Sequence, residues 1–178
     1  MEGSGDTSSE LSASLRAAKR RVALYAGLAD LAGVFALEDV TGALTRFADL
    51  ATERALTFQV AQEIRRGKLP GATEDDIASA GGAMALAMGK MGAAELNYSS
   101  DIDLIVLFDQ DRWPERDFHE LRTSLVRATR EAAKLLSENT SEGYVFRTDL
   151  RLRPDPSVTP VCLSMEAAER YYESLGRT

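Results

Sequence analysis

The first third of the chain repeats apolar residues at the spacing of an α-helix. Thr7 and Glu10 occupy the positions of a capping box and mark the start of a helix that we predict to run toward Gly27. Its apolar positions recur every three or four residues, at Leu11, Leu15, Ala18 and Val22. A longer helix is predicted from Glu38 to Arg66, and Gly67 is a typical C-terminal stop. The apolar positions of this second helix are Leu44, Phe47, Leu50, Leu56 and Val60.

Two short apolar runs in the middle of the chain predict strands instead. Residues 83–88 are apolar throughout and end in the glycine-rich turn of residues 89–92. A second run extends from Ile102 to Phe108, and side chains leave a strand alternately to its two faces. We therefore expect a hairpin-like unit in which Asp101 and Asp103 share one face of the second strand. The opposite face carries the apolar set Ile102, Leu104, Val106 and Phe108.

The following segment predicts a helix and then a third strand. Pro114 suits the first position of a helix that lasts to Glu138, and we interpret His119 near its start as a surface residue. The buried stripe of this helix is Phe118, Leu121, Leu125, Ala128, Ala132 and Leu135. Residues 144–154 alternate with period two, which predicts a half-buried strand. Its inward positions are Phe146, Leu150 and Leu152, and its other face carries Arg147, Asp149, Arg151 and Arg153.

The order of elements is helices, strand, glycine-rich turn, strand, helix, strand and helix. This order predicts an α/β (α+β) fold with a small mixed sheet and helices packed on it. The helices before residue 80 carry no motif of their own, so we interpret them as packing elements.

Asp101 and Asp103 are the first candidates for chemistry. They lie two residues apart at the start of a strand, and therefore on one face. Two carboxylates so close repel each other, and a hard divalent cation between them relieves that repulsion. Carboxylate oxygens are the ligands that Mg²⁺ or Mn²⁺ prefers. The pair predicts a metal site, although two solvated aspartates at a strand end would have the same sequence.

The glycine-rich turn adds a candidate phosphate site. Gly89, Lys90 and Gly92 follow a predicted strand, and the backbone N–H groups of such a turn can approach a phosphate closely because glycine has no side chain. Most turns of this kind bind nothing, so the signal is weak alone. Asp101 follows Gly89 by 12 positions, which places phosphate donors and metal ligands at one end of the hairpin.

Asp149 is a candidate third carboxylate. On an isolated strand, an aspartate flanked by arginines would be part of a charge ladder on an exposed face. If this strand lies beside the strand of Asp101 and Asp103, however, Asp149 completes a two-metal centre and Arg151 becomes a partner for phosphate oxygens. Three carboxylates on adjacent strands suit nucleotidyl transfer, in which two cations roughly 3.5–4 Å apart hold the attacking and leaving oxygens.

Composition narrows the possible partners. The 178 residues include 21 Lys and Arg and 28 Asp and Glu, a formal net charge of −7. We therefore expect no nucleic-acid substrate, because affinity for nucleic acid comes from basic residues. No apolar run is long enough to cross a membrane and no signal-peptide pattern opens the chain, which predicts a cytoplasmic protein without a membrane partner. Cys162 has no second cysteine to pair with, and one Cys with one His cannot supply a usual zinc shell.

Three stretches of the chain resemble a known family. They are Gly89-Lys90-Met91-Gly92, the run Glu-Leu-Asn-Tyr-Ser-Ser-Asp-Ile-Asp-Leu-Ile at residues 95–105, and the run Tyr-Val-Phe-Arg-Thr-Asp-Leu-Arg-Leu-Arg-Pro at residues 144–154. They closely resemble the nucleotidyltransferase domains of the bifunctional glutamine synthetase adenylyltransferase/adenylyl-removing enzymes, in the DNA polymerase beta-like superfamily. The resemblance implies a nucleotidyltransferase domain at residues 80–178 after an N-terminal helical segment at residues 1–79.

The resemblance also favours one half of those enzymes. Their chains are several times longer and carry two such domains, so we expect this chain to be a fragment, truncated on its C-terminal side. Tyr171-Tyr172 and Gly176-Arg177 resemble the end of the adenylyl-removing domain, as does Phe146-Arg147 before Thr148-Asp149. Lys90 departs from the wider superfamily, which usually has Gly or Ser at that position of the loop.

The activity that the resemblance implies is phosphorolysis, in which orthophosphate removes AMP from an adenylylated tyrosine of glutamine synthetase and ADP is released. Asp101, Asp103 and Asp149 would be catalytic and would hold Mg²⁺ or Mn²⁺. Phosphate and nucleotide contacts are implied for Gly89, Lys90, Gly92, Ser99, Ser100 and Arg151. The implied partners are glutamine synthetase, an adenine nucleotide and orthophosphate, with a PII-type signalling protein acting through the full-length enzyme. Two alternatives stay open, namely ATP-dependent adenylylation of the same tyrosine, and a nucleotide-binding or interaction fragment that is inactive in isolation.

Overall fold

The structure, a computed structural model, describes residues 7–175. This part of the chain begins with two long helices. Helix α1 spans Ser8–Leu31 and begins with the predicted capping box, because the Thr7 amide donates to Glu10 Oε2 at 2.7 Å and the Glu10 amide donates to Thr7 Oγ1 at 3.2 Å. Helix α2 spans Leu37–Arg65. Gly67 follows it with a φ of +65°, which confirms the predicted stop.

The prediction that α1 ends near Gly27 is wrong, because the helix continues through this residue to Leu31. A glycine inside a helix costs only about 1 kcal/mol relative to alanine, so it does not have to end one. Gly27 faces the phenol of Tyr98, and a Cβ added at residue 27 would lie 3.6 Å from the Tyr98 hydroxyl. An alanine Cβ would therefore be in ordinary van der Waals contact with this hydroxyl, and residue 27 lies in regular helix.

Within residues 7–175 the sheet has four strands, one more than predicted, and it is mixed as expected. Strand β1 (Ala83–Met88) pairs antiparallel with β2 (Ile102–Phe108), and the four-residue helix α3 (Gly89–Gly92) follows β1 directly. The short strands β3 (Thr148–Asp149) and β4 (Cys162–Ser164) both run parallel to β2. The expected hairpin-like unit is thereby confirmed, and β2 is the central strand.

Strand β2 has two distinct faces. The helix face, which packs against α2 and helix α4 (Phe118–Ser137), consists of the predicted apolar set Ile102, Leu104, Val106 and Phe108. The opposite face, here called the site face, consists of Asp103, Ile105 and Leu107. Ile105 and Leu107 are covered by Leu163 of β4 and by Ala168 of the last helix, α5 (Met165–Leu175). Asp103 stands at the end of the strand beyond this cover.

Helix α4 begins four residues later than predicted. Pro114 precedes a 3₁₀ turn at Glu115–Asp117, and the α-helix starts only at Phe118. Such turns commonly lead into helices, and a sequence pattern does not separate the two forms. The predicted end is confirmed within one residue, His119 is exposed as expected, and the predicted stripe is buried apart from the partly exposed Phe118.

The predicted third strand over residues 144–154 is too long, since only Thr148 and Asp149 pair with β2. The prediction that Leu152 points inward is wrong, because it is 50% exposed. Arg153 leaves the predicted face altogether and donates to the carbonyl oxygens of Leu150, at 2.6 Å, and of Thr159, at 3.2 Å. The alternation of residues 150–153 therefore belongs to a turn that Arg153 holds, and not to a strand.

Of the two N-terminal helices, α2 packs directly against the sheet. Leu56, Val60 and Ile64 pack in one cluster with Val106 and Phe108 of β2. The division of the chain between residues 79 and 80 stays a prediction. Within residues 7–175, no helix is both long enough and apolar enough to span a bilayer.

Candidate functional site

Asp103 and Asp149 come together through the pairing of β2 with β3. In this parallel pair the two residues are direct partners in the register, and partners in a ladder project to the same face. Both are partly buried at the edge of the site face. The chain thus places two of the three predicted carboxylates side by side, although they are 46 positions apart in sequence.

The glycine-rich turn lies against one of these carboxylates. Gly89 has a φ of +56°, and a Cβ added there would lie 2.8 Å from Asp103 Oδ2. A Cβ at Gly92 would overlap the carbonyl oxygen of Ala87. Glycine meets both the backbone angle and the close approach at residue 89 without strain, because it has no Cβ. The turn and the start of β2 therefore form one compact unit, in which Lys90 is exposed to solvent.

Asp101 lies just before β2, and Arg147 binds it. The guanidinium donates to Asp101 Oδ1 and also to the backbone carbonyl of Ser99, the latter at 3.3 Å. The hydrogen bond that Arg147 donates to Asp101, and the negative charge of Asp101, raise the pKa of Arg147. At least half of each side chain is exposed, 58% for Arg147 and 50% for Asp101, so solvent screens the ion pair.

Asp149 is bound by Arg151 in the same way. Arg151 Nη2 lies 2.5 Å from Asp149 Oδ2, and the Arg151 amide donates to Asp149 Oδ1 at 2.8 Å. These hydrogen bonds from Arg151 lower the pKa of the Asp149 carboxyl. The pKa of Arg151 is raised mainly by its hydrogen bond to Asp149, with a smaller contribution from the charge on Asp103. Arg151 thus binds Asp149 directly, and the charge of Asp103, the strand partner of Asp149, also acts on it.

Ser99 and Ser100 belong to a turn that precedes Asp101. The Ser100 hydroxyl donates to Asn97 Oδ1 at 2.7 Å, and the Ser99 amide donates to the same oxygen at 3.2 Å. Asn97 therefore organises this turn, a role that the sequence analysis did not assign to it. Its Asn-x-Ser-Ser spacing is typical of an Asx turn and could have indicated the role.

The arrangement of the carboxylates is two plus one. Between residues 7 and 175, no group of three or more His, Cys, Asp and Glu side chains is close enough to hold a metal ion. Asp103 and Asp149 share a face, Asp101 and Asp149 are each occupied by an arginine, and Asp103 has no ion pair among these same residues. The roles of the predicted site residues in binding and catalysis stay predictions.

Helix α1 contacts both segments that border the site, which the sequence analysis missed. Lys19 Nζ lies 4.6 Å from the centroid of the Tyr144 ring and 4.8 Å from that of Phe146, one residue before Arg147. Its half-burial, and secondarily the charge of Arg147, lower the pKa of Lys19. On the other side, Gly27 receives the phenol of Tyr98. A lysine among apolar positions of a helix was the one signal that could have indicated this contact.

Comparison with known proteins identifies the family. The family model described as glutamate-ammonia ligase adenylyltransferase matches residues 2–178. Three similar curated proteins are each named bifunctional glutamine synthetase adenylyltransferase/adenylyl-removing enzyme. The one from Bradyrhizobium sp. is 49% identical over 164 residues, which is 92% of this chain and 17% of the relative. The one from Caulobacter vibrioides is 46% identical over 163 residues, 92% of this chain and 16% of the relative.

The third relative, from Rhodopseudomonas palustris, is 45% identical over 169 residues, which is 95% of this chain and 17% of that protein. The chain therefore spans about one sixth of the length of these relatives. The match includes all three motifs that border the site, together with the N-terminal helices. The chain belongs to the glutamate-ammonia ligase adenylyltransferase family.

Proposed function

We propose that the site face of this chain takes part in metal-dependent nucleotidyl transfer on glutamine synthetase, in the direction that removes AMP. The observation that carries the proposal is the register of β2 with β3, which sets Asp103 beside Asp149, with Gly89 against Asp103. The names of the relatives support glutamine synthetase as the target. The direction rests on the resemblance of Tyr171-Tyr172 and Phe146-Arg147 to the adenylyl-removing domain, while Gly176-Arg177 lies outside the described residues.

The donor chemistry of the site fits Mg²⁺ or Mn²⁺. Asp103 and Asp149 offer neighbouring carboxylates, and Asp101 would add a third after release from Arg147. Bound cations would supply charge neutralisation for the transferring phosphoryl group and for the attacking and leaving oxygens. The two arginines neutralise Asp101 and Asp149 until then, and each would be free to contact phosphate once a cation took its place.

In the proposed reaction, an oxygen of orthophosphate attacks the α-phosphorus of the adenylylated tyrosine. The bond from that phosphorus to the tyrosine oxygen breaks as the new P–O bond forms. ADP is released, and the tyrosine oxygen takes up a proton. Little covalent chemistry is required of the protein, so its contribution is positioning and charge.

The phosphate groups would be held by cationic side chains and turn amides around the carboxylates. Arg151 is best placed, because it already binds Asp149 and the charge of Asp103 also acts on it. The exposed Lys90 extends from the turn that contacts Asp103. The remaining proposed contacts are Gly89, Gly92, Ser99 and Ser100.

A paired assay tests the function and its direction. Adenylylated glutamine synthetase, orthophosphate and Mg²⁺ should yield ADP only when orthophosphate is present, because phosphate is the attacking group. Hydrolysis would yield AMP instead. A parallel reaction with ATP and unmodified glutamine synthetase should yield no pyrophosphate. Pyrophosphate without phosphate-dependent ADP would reverse the assignment to adenylylation.

The cation site is tested separately on the same protein. Millimolar Mg²⁺ or Mn²⁺ should raise the melting temperature, because a ligand that binds only the folded state stabilises it. Asp103→Asn should remove this rise. The control Asp75→Asn, which alters an exposed aspartate in the 3₁₀ turn at Glu74–Asp76, should retain it. Equal rises in both variants would contradict the metal site.

Regulation by a PII-type signalling protein is also part of the proposal. It would act through the full-length enzyme, since the curated relatives are about six times as long as this chain. No residue among 7–175 is assigned to that contact.

A further inference from the structure

An apolar strip continues the site face beyond the carboxylates. Strand β1 projects Met84, Leu86 and Met88 to the site face, because these residues are the register partners of Leu107, Ile105 and Asp103. Met88 therefore stands directly beside Asp103. Met84 and Leu86 on the same strand are each 42% exposed. Their partners on β2, Leu107 and Ile105, are buried under Leu163 and Ala168.

We propose that this strip, Met84, Leu86 and Met88, binds the purine ring of the adenine nucleotide whose phosphates lie at the carboxylates. The inference rests on the proposed function and adds the site that recognises the base. The two ends of the ligand differ in chemistry, since the phosphates need cations and N–H donors while the ring needs an apolar surface. The site face supplies both in direct continuity along one pair of strands.

The side chains of the strip suit an aromatic ring in particular. Methionine sulfur is polarisable and makes favourable contacts with aromatic rings, and its flexible side chain adapts to a flat ligand. The strip contains a leucine with one methionine on each side of it, and it has no charged side chain. Met88 and Leu86 lie about 7 Å apart along the strand, at a rise of roughly 3.3–3.4 Å per residue. A base that extends from a phosphate at Asp103 would therefore lie over Leu86.

The two sides of strand β1 carry side chains of different size. Ala83, Ala85 and Ala87 face α2 and the core, so β1 places its small residues inward and its large apolar residues outward. Burial of large residues normally drives the reverse arrangement. Large outward side chains next to an acidic site are consistent with a surface kept open for a ligand.

The test compares ADP with inorganic pyrophosphate, which is the same diphosphate without the adenosine. Calorimetry with Mg²⁺ measures both affinities for the unaltered chain and for the double variant Met84→Ser with Leu86→Ser. The unaltered chain should bind ADP about tenfold more tightly than pyrophosphate, and the variant should lose most of that preference while its affinity for pyrophosphate is unchanged.

Two further variants keep the result interpretable. Leu28→Ser on α1 removes an apolar side chain that is 59% exposed and should leave the preference intact. Leu86→Met replaces one apolar side chain by another, so the strip stays apolar and the preference for ADP should also be retained. A double variant that keeps the full preference for ADP would overturn the inference, as would an unaltered chain that binds both ligands equally. Binding of neither ligand in the presence of Mg²⁺ would overturn the proposed function as well, so the two failures are distinguishable.

Discussion

The two faces of β2 are determined by different physical demands. On the helix face, Ile102, Leu104, Val106 and Phe108 are at most 4% exposed and pack against α2 and α4. On the site face, only Ile105 and Leu107 are covered, and the strand begins with the partly exposed Asp103. Stability comes mainly from the first face and the candidate chemistry from the second. Substitutions on the two faces should therefore separate unfolding free energy from ligand binding.

The largest expected effect is on the helix face. Phe108 is fully buried and its ring centroid lies 5.9 Å from that of Phe118. Phe108→Ala should lower the free energy of unfolding by about 3–5 kcal/mol, because lost burial and a residual cavity add together. Asp103→Asn, on the other face of the same strand, should change it by less than about 1 kcal/mol. Urea unfolding followed by circular dichroism measures both, and similar costs would contradict the division of roles.

Two glycines allow a sharper test of the site face. Gly89 and Gly67 both have positive φ, +56° and +65°, so substitution by alanine should destabilise each by about 1 kcal/mol through backbone strain. Only at Gly89 would the new Cβ meet Asp103 Oδ2, at 2.8 Å, while at Gly67 nothing lies within 4 Å. Gly89→Ala should therefore also abolish the cation-induced rise in melting temperature, and Gly67→Ala should not. Retention of the rise in both would show that the turn does not position Asp103.

The same contrast explains how far the sequence could predict this molecule. The alternation of β2 and the hairpin with β1 follow from local hydrophobic patterns, and both predictions are confirmed. The strand over residues 144–154 was overpredicted because Leu150 and Leu152 alternate with arginines in a turn as they would in a strand. Alternation of apolar and polar residues shows that a segment has one buried and one exposed side. It does not show that the segment is hydrogen-bonded to a neighbouring strand.

The sequence indicated candidate carboxylates on neighbouring strands, whose roles stay predictions, but it did not indicate their ion pairs. Asp103 and Asp149 share a face because of a register that depends on the whole fold. The pairing of Asp101 with Arg147, and the contacts of Lys19 on α1 with the rings of Tyr144 and Phe146, join residues that are far apart in sequence. Contacts of this kind depend on side-chain geometry in three dimensions, so a single sequence carries no pattern for them.

Acid should test the arginine on the site face, with a smaller effect. Hydrogen bonds from Arg151 lower the pKa of Asp149, so this carboxylate stabilises the fold above its ordinary pKa of about 3.9 and loses that contribution as the pH falls through its lower folded value. Arg151→Ala should remove the contribution, and acid unfolding should then begin at a slightly higher pH. Because the Arg151 side chain is 82% exposed, solvent screens the pair and the change in stability should be small.

The measurement is the urea midpoint as a function of pH for Arg151→Ala and for a matched control. Arg170→Ala removes an exposed arginine that pairs with Glu166 at 2.8 Å on helix α5, away from the carboxylates. The control should show the same pH dependence as the unaltered chain, whereas Arg151→Ala should have a lower midpoint near pH 7 and approach the unaltered chain as the pH falls through the folded pKa of Asp149. Identical curves for the two variants would show that Arg151 does not hold Asp149 in solution.

Cys162 provides the last test and the smallest effect on stability, because it reports the helix face without altering it. The residue lies on β4 opposite Val106 and is fully buried, and burial raises the pKa of its thiol to about 12. Since the folded pKa exceeds the unfolded value of about 8.5, the neutral thiol contributes stability that is fully present below that value and is lost as the pH rises toward 12. The thiolate is the reactive form, so iodoacetamide at pH 8 should label the folded protein at least about a hundredfold more slowly than the urea-unfolded chain. Mass spectrometry of timed samples measures both rates. Labelling of the folded protein at the unfolded rate would mean that β4 is not packed against the helices, and the contrast between the two faces would then hold for β1 and β2 alone.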